Sequence, residues 1–305
     1  MNPPTDKILD PDPIEPLIER ACVLAEALPY IQRFHGKTLV IKYGGHAMVD
    51  SALKANVIRD VVLMESVGMR IVIVHGGGPE ITRHMEKMGK VPQFANGLRV
   101  TDEETLSITE MVLVGKINCD IVNGINQAGG RAVGLSGKDA GLILARRYRP
   151  TGADGESSAD IGYVGEVEKI NPEILNMLDQ HEFIPVISPI GVDPQGQTLN
   201  INADAVAADI ASALCATKLI LLTDVRGICR DPNDPATVHA TLPAAQCEKM
   251  IAEGVIDGGM IPKARACLRA LRGGVEKTHI LDGRIPHALL LELFTDRGIG
   301  TQIIN

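Results

Sequence analysis

Several stretches of this 305-residue chain carry glycines or lysines where a strand would end or a helix begin, and that pattern suits the binding of a phosphate. In VIKYGG, residues 40–45, a β-branched run delivers Lys42 and is followed by Gly44 and Gly45. Open parallel sheets bind ligands at the carboxyl ends of their strands, and glycines there let backbone N–H groups approach an anion closely. A simple glycine turn is the alternative reading of this stretch alone. In IVIVHGGGPEI, residues 71–81, four β-branched residues run into Gly76, Gly77 and Gly78, and Pro79 opens a helix. Proline is favoured at a first helical position, and the N–H groups and positive dipole end of that helix then form an anion site. The spacing is not a dinucleotide fingerprint, because Gly76 and Gly78 are followed by Ile81 where a third glycine is needed. Nor is there a Walker loop: Gly137-Lys138 has Ala132 and Asp139 where Gly and Ser/Thr are required. In IDGGMIPK, residues 256–263, Lys263 falls near a helix N-terminus, an unfavourable place for a cation unless an anion is there too. KLILLTDVRGI, residues 218–228, adds a buried strand ending at Thr223 and Asp224, where a nucleotide has room to lie.

Two further stretches carry groups suited to an amino acid. NGLRVT, residues 96–101, reads as a hairpin turn with Arg99 just beyond it. An arginine suits bidentate carboxylate binding, although taken alone this one reads as a surface residue. LNINADAVAADIASAL, residues 199–214, places Asn200, Asn202 and Asp204 before or at the start of a helix. An aspartate in a first turn is normally a cap, but two asparagines and an aspartate on alternate residues exceed what capping needs.

The elements that must position these residues are legible from periodicity. β-Branched runs at Thr38–Tyr43, Ile71–Val74, Ala132–Leu135, Leu142–Ala145 and Phe183–Ile187 read as strands. They alternate with helical patterns over Asp50–Val67, Pro79–Met88, Asp102–Gln127 and Asn202–Leu214. Between Arg146 and Lys169 the pattern breaks into Gly, Ser and Asp, which suggests a hairpin excursion. Leu219–Thr223 and His279–Leu281 then read as strands, and Ala244–Glu253, Ile261–Leu271 and His287–Phe294 as helices. The alternation predicts an α/β fold: an αβα sandwich with a mainly parallel sheet covered on both faces. No composition-biased linker appears, so two lobes sharing one continuous sheet are expected. A helical arm precedes the first strand. Ile14, Leu17, Ile18, Ala21, Leu24, Ala25, Leu28 and Ile31 follow the amphipathic spacing, and Pro29 is expected to kink or split the helix. Its apolar stripe packs either on its own subunit or on another.

Composition removes several classes of function. The formal charge is −8, aromatics make up 3% and tryptophan is absent. Such a chain lacks both the basic footprint and the stacking platforms of a nucleic-acid binder. No apolar run approaches the ~18 residues of a membrane span. The six cysteines show no CxxC spacing, which fits free thiols in a reducing cytoplasm rather than a disulfide framework. Met1–Pro13 is polar and proline-rich, unlike a secretory signal.

Taken in order, VIKYGG, VHGGGPEI, NGLRVT, NINADAVA, LLTDVRGI and DGGMIPK resemble the amino acid kinase family from about residue 37 to residue 305. NGLRVT and NINAD look like its acetylglutamate branch. The resemblance implies an N-lobe for the amino acid, residues 37–214, and a C-lobe for ATP, residues 215–305, behind an arm of residues 1–36. It implies phosphorylation of the γ-carboxylate of N-acetyl-L-glutamate by ATP, an early step of arginine synthesis. Lys42 would neutralise the transferring phosphoryl group, Lys263 would stabilise the leaving phosphate side, and Asp204 would hold both lysines. Gly44, Gly45, Gly77 and Gly78 would offer N–H groups to phosphate oxygens and substrate, and Arg99 and Asn200 would bind the α-carboxylate end. Mg²⁺ would accompany ATP, held mainly by phosphates and water and by no dedicated protein site. His46 and His75 read as structural.

Arginine-inhibited members of this branch resemble the chain in having an N-terminal helix and a C-terminal stretch like HALLLELFTDRGIGT. This implies a homohexamer, a trimer of dimers with interlaced N-helices. It also implies an L-arginine site with Tyr30, Lys218, His279, Glu292 and Gly298 as candidates. Competing readings are another amino acid kinase such as a glutamate 5-kinase, a non-catalytic sensor on the same fold, and a dehydrogenase. The missing fingerprint weighs against the last, and the intact Lys42, Lys263 and Asp204 weigh against a sensor.

Overall fold

The computed structural model describes residues 14–48, 50–95, 97–149, 160–231 and 234–305. The expectation for Met1–Pro13 therefore lies outside the described residues, as do Asn96 of the predicted hairpin turn and the side chain of His46. The chain opens with α1 (Glu15–Phe34), then β1 (Thr38–Tyr43), α2 (Ser51–Ser66), β2 (Arg70–His75) and α3 (Gly78–Lys87). A short hairpin, β3 (Phe94–Ala95) and β4 (Leu98–Arg99), leads into one long helical run. That run is α4 (Glu103–Glu110), a π-helical stretch (Met111–Asn118) and α5 (Cys119–Gln127). β5 (Ala132–Ser136), β6 (Ile143–Arg147), β7 (Val164–Ile170), α6 (Glu173–Gln180) and β8 (Ile184–Ser188) follow. Next come β9 (Ile190–Val192), β10 (Thr198–Ile201), α7 (Ala203–Ala213) and β11 (Lys218–Thr223). The chain ends with β12 (Thr241–Pro243), α8 (Ala244–Ala252), α9 (Met260–Arg272), β13 (Lys277–Asp282), α10 (Ala288–Leu293) and β14 (Thr301–Ile304).

Eight strands form one sheet in the order β12-β14-β13-β11-β1-β2-β8-β5. The six from β13 to β5 are mutually parallel, whereas β14 runs antiparallel to β13 and carries β12 alongside it. Alternate residues of the central strands feed two cores. Leu39, Ile41, Tyr43, Ile71 and Ile73 face α2, α3, α5 and α10, while Val40, Val72, Val74, Leu219 and Leu221 face α7, α8 and α9. Burial on both faces explains the continuous apolar runs of these strands. Each fully buried Val, Leu or Ile contributes roughly 1.5–3 kcal/mol over its exposed state. The layers are helix, sheet, helix, as the alternation predicts. Strands from residues 38–188 lie on one side of the β1–β11 seam and strands from residues 218–304 on the other.

Three expectations are corrected in detail. The apolar run at Leu142–Ala145 does not join the main sheet. It forms β6 of a second, closed four-stranded sheet with β7, β9 and β10, and pairs antiparallel with β7; the middle of the hairpin expected between Arg146 and Lys169, residues 150–159, lies outside the described residues. An apolar run states that a strand is buried but not in which sheet. The helix over Asp102–Gln127 is continuous but changes to π-type turns at Met111–Asn118. Pro29 does not split α1, which runs unbroken from Glu15 to Phe34. Ala25, whose carbonyl loses its helical donor there, is exposed and open to water.

Candidate active site

β1 sits at the point where the strand order turns, with β2 on one side and β11 on the other. Crevices outside the carboxyl ends of strands at such points are where open α/β sheets bind ligands. Here the crevice is a cavity of about 480 Å³. Lys42 reaches it from the end of β1, on the face covered by α7 and α9. Asn202 caps α7, its side-chain oxygen accepting from the N–H groups of Asp204 (2.8 Å) and Ala205 (3.3 Å). The capping role expected of an aspartate is thereby filled, and Asp204 in the first turn is left to face the cavity. α9 supplies Lys263 from its first turn.

The three side chains meet. Lys42 Nζ lies 3.0 Å from Asp204 Oδ1, and Lys263 Nζ lies 2.8 Å from Asp204 Oδ2. Burial by itself would raise the Asp204 carboxyl, but the two ammonium groups outweigh it and hold the group down at about 2. Asp204 is therefore an anion that fixes two cations over one cavity.

Three of the four glycines have close neighbours. A Cβ on Gly44 would sit 2.5 Å from Lys42 Nζ. Gly45 has φ +73°, and a Cβ there would collide with the Asp224 carboxylate. A Cβ on Gly77 would meet Leu113 and Ile117, each at 2.6 Å, in the π-helical stretch. Gly78 opens α3 with free space beside it.

Arg99 is buried, not on the surface as its type alone suggests. Its guanidinium donates to Gly78 O (3.0 Å), Thr82 Oγ1 (2.8 Å) and Met85 Sδ (3.2 Å), and lies over the Phe94 ring at 4.7 Å. It pairs with no carboxylate among the described residues, and burial lowers it from its ordinary value. A buried guanidinium in this state favours an incoming carboxylate. Asn200 also lines the cavity and donates to Thr101 Oγ1 (3.4 Å), which in turn donates to Arg99 O (2.8 Å).

Thr223 and Asp224 do not line this cavity. They stand at the carboxyl end of β11, one strand over, where Asp224 touches Gly45. His75 is fully buried, and burial pushes it down to about 4, so the ring is neutral and out of reach of substrate. Sequence reasoning missed its partners Asn118 and Ser188. The one available signal was a polar Asn inside the apolar run VLVGKIN. It also missed Lys54 and Lys116, which line the cavity from helical positions that read as solvated faces.

The five residues of the second expected site also converge. Tyr30, Lys218, Glu292 and Gly298 line a cavity of about 300 Å³ between α1, β11 and α10. His279 lies behind it, accepting from Lys218 Nζ (3.0 Å) and contacting Glu292 Oε1 through Nδ1 (2.9 Å). Burial pushes Lys218 down to about 8 against the pull of Glu292. Tyr30 donates to Asp296 Oδ1 at 2.7 Å and so ties α1 to the C-terminal segment.

The model of the amino acid kinase family matches residues 37–282, most of the chain and every element around the first cavity. This chain belongs to the amino acid kinase family. Within that family it is 58% identical over 288 residues to an acetylglutamate kinase of Pelotomaculum thermopropionicum, covering 93% of this chain and 98% of that one. Among solved structures, it resembles the N-acetylglutamate synthase of Neisseria gonorrhoeae complexed with coenzyme A and N-acetyl-glutamate. The TM-score is 0.80 at 28% identity, over 93% of this chain and 63% of the synthase. The same synthase complexed with coenzyme A and L-arginine gives 0.77 at 27% identity, over 93% and 65%. As a member of the amino acid kinase family, the chain is a phosphotransferase.

Proposed function

We propose that this chain transfers the γ-phosphoryl group of ATP to the γ-carboxylate of N-acetyl-L-glutamate, forming N-acetyl-L-glutamyl 5-phosphate and ADP for arginine biosynthesis. The observation that carries the reading is the Lys42–Asp204–Lys263 constellation over a cavity walled by Gly44, Gly45, Gly77 and Gly78. The acceptor carboxylate is already ionised near pH 7, so no general base is needed. One of its oxygens attacks the γ-phosphorus in line, and the bond from that phosphorus to the β-γ bridging oxygen breaks. Catalysis then consists of positioning and charge stabilisation. Lys42 stabilises the transferring group, Lys263 stabilises the leaving side, and Asp204 keeps the two ammonium groups apart and aimed. Arg99 and Asn200 receive the α-carboxylate end of the amino acid. The cavity's central carboxylate is saturated by lysines, so this cationic set fits a phosphate chain. Mg²⁺ would be met by phosphate oxygens and water, adding charge neutralisation.

In this reading residues 37–214 form the amino-acid lobe, and residues 215–305 the ATP lobe with Thr223 and Asp224 near the nucleotide. Residues 1–36 form an arm. L-Arginine inhibits by entering the second cavity, where the Glu292 carboxylate suits a guanidinium, and α1 joins subunits into a homohexamer, a trimer of dimers. The similarity to a synthase solved with L-arginine and the exposed apolar stripe of α1 support these two points. The setting is the cytoplasm; no helix among the described residues is long and apolar enough to cross a membrane.

The test is turnover of ATP with Mg²⁺ and N-acetyl-L-glutamate, trapping the acyl phosphate with hydroxylamine, with glutamate and aspartate as controls. Hydroxamate from N-acetyl-L-glutamate alone is expected. Hydroxamate from glutamate instead would make the chain a different amino acid kinase, and none from any substrate would remove the kinase mechanism.

A further inference from the structure

A buried polar chain runs beneath the Gly76–Gly78 loop and ends on one of its carbonyls. His75 Nδ1 contacts Gly76 O at 2.9 Å, and a carbonyl only accepts, so Nδ1 carries the proton. The neutral ring then accepts at Nε2, from Ser188 Oγ at 3.0 Å, a shorter contact than that of the same hydroxyl to Leu113 O (3.4 Å), with Asn118 Nδ2 a second donor at 3.3 Å. Asn118 Nδ2 supplies the start of the chain, donating to Val186 O (2.8 Å) and Ser188 Oγ (3.2 Å). A Cβ on Gly134 would collide with Asn118 Oδ1, so a side chain is absent where the amide must fit. The chain thus links the π-helical stretch, β8 and β2 in one direction.

Its end point fixes a peptide plane. Gly76 N–H donates to Tyr43 O at 2.7 Å, and Gly76 O is taken by the imidazole. No cis peptide occurs among the described residues. In a trans unit the carbonyl and the next N–H point in opposite directions. With the Gly76 carbonyl drawn toward His75, the Gly77 N–H points to the opposite side. Gly77 lines the cavity, and its N–H donates to no group among the described residues.

We propose that His75 is a positioning residue for phosphoryl transfer: through Gly76 O it holds the Gly77 N–H toward the transferring group. The inference rests on the kinase reading above. It separates the two ends of the imidazole, so two amide variants divide the question. His75→Asn keeps an N–H near the Nδ1 position and can still hold Gly76 O. His75→Gln reaches the Nε2 position, keeps the Ser188 and Asn118 partners, and leaves Gly76 O unheld.

The experiment measures hydroxamate formation and thermal unfolding for the wild type and both variants. The wild type alone tests the kinase reading: no product there defeats that reading independently of His75. Loss of one well-aimed N–H donor typically lowers kcat by about 10²–10³-fold, and a loosened one by less. His75→Gln is expected to lower kcat about 10- to 100-fold with KM for both substrates within about threefold. His75→Asn is expected to retain at least a third of kcat at equal or lower thermal stability. Equal loss in both variants, loss that follows thermal stability, or full activity in His75→Gln would each overturn the proposal.

Discussion

The Asp204 carboxylate has the most to lose in this site, because it is buried and answers two cations at once. Its pKa of about 2 in the folded protein lies below that of an unfolded aspartate near ~3.9. A depressed carboxyl stabilises the fold above the unfolded value, and that contribution disappears as pH falls through the folded value. Wild-type stability, measured by denaturant titration, is therefore expected to fall between about pH 4 and pH 2 more steeply than that of Asp204→Asn. A parallel loss in both proteins would mean that the ion pairs do not stabilise the fold. At neutral pH, Asp204→Asn leaves two facing ammonium groups without a counter-charge. Breaking a buried pair costs about 3–5 kcal/mol, less here because Lys263 is partly exposed. Its kcat is expected to drop by about 10²-fold or more, as are those of Lys42→Ala and Lys263→Ala. Unchanged kcat in either lysine variant would remove the charge-stabilisation mechanism. All three residues were legible in the sequence because each stands at a strand end or helix start, where function concentrates. Asn118 and Ser188 were not, because a buried hydrogen bond leaves no periodic trace.

The strands and helices that aim these groups were legible to different degrees, for physical reasons. β1, β2, β8, β11 and β13 are buried on both faces and all but β13 read as apolar runs, so they stand out, and the helices between them repeat at 3.6 residues. β9, β10, β12 and β14 are three or four residues long, too short to show a period. The π-type turns at Met111–Asn118 change hydrogen-bond spacing without changing residue type, although they press Leu113 and Ile117 onto Gly77. The turn after β1 offers a direct test of how closely the loops must pack. Gly45→Ala forces a left-handed backbone onto an L-residue, at about 1–2 kcal/mol, and drives a methyl into the Asp224 carboxylate. That carboxylate must then move away from the end of β11. KM for ATP is expected to rise about tenfold or more while KM for N-acetyl-L-glutamate changes little. If both constants were untouched, the β1–β11 seam would not be where the nucleotide lies.

The proposed assembly and its regulation rest on the arm and the second cavity, and α1 presents the surface that an assembly would cover. Ile14, Leu17, Ile18, Leu24 and Leu28 share one face and are between 51% and 73% exposed. Covering them would contribute on the order of 5–10 kcal/mol before the cost of association is subtracted. Near its C-terminus α1 is anchored to its own chain: Phe34 is buried, and Tyr30 is tied to Asp296 and packs near Phe294. A deletion of residues 1–28 spares those anchors and removes most of the stripe. It is expected to preserve kcat, because no described residue of the arm lines the first cavity. Light scattering should report a smaller assembly, and the proposed arginine inhibition should weaken because Tyr30, Arg33 and Phe34, which wall the second cavity, are left on a stub of two turns or less. Glu292→Gln separates the two effects. It keeps the arm but loses the charge that would face a guanidinium in the proposed site, so inhibition should fall with the mass unchanged. A truncated chain of undiminished mass would place the stripe on some other partner. Inhibition that survives Glu292→Gln would move arginine out of the cavity between α1 and α10, and the Lys218–His279–Glu292 chain would then be a packing device of the C-terminal half.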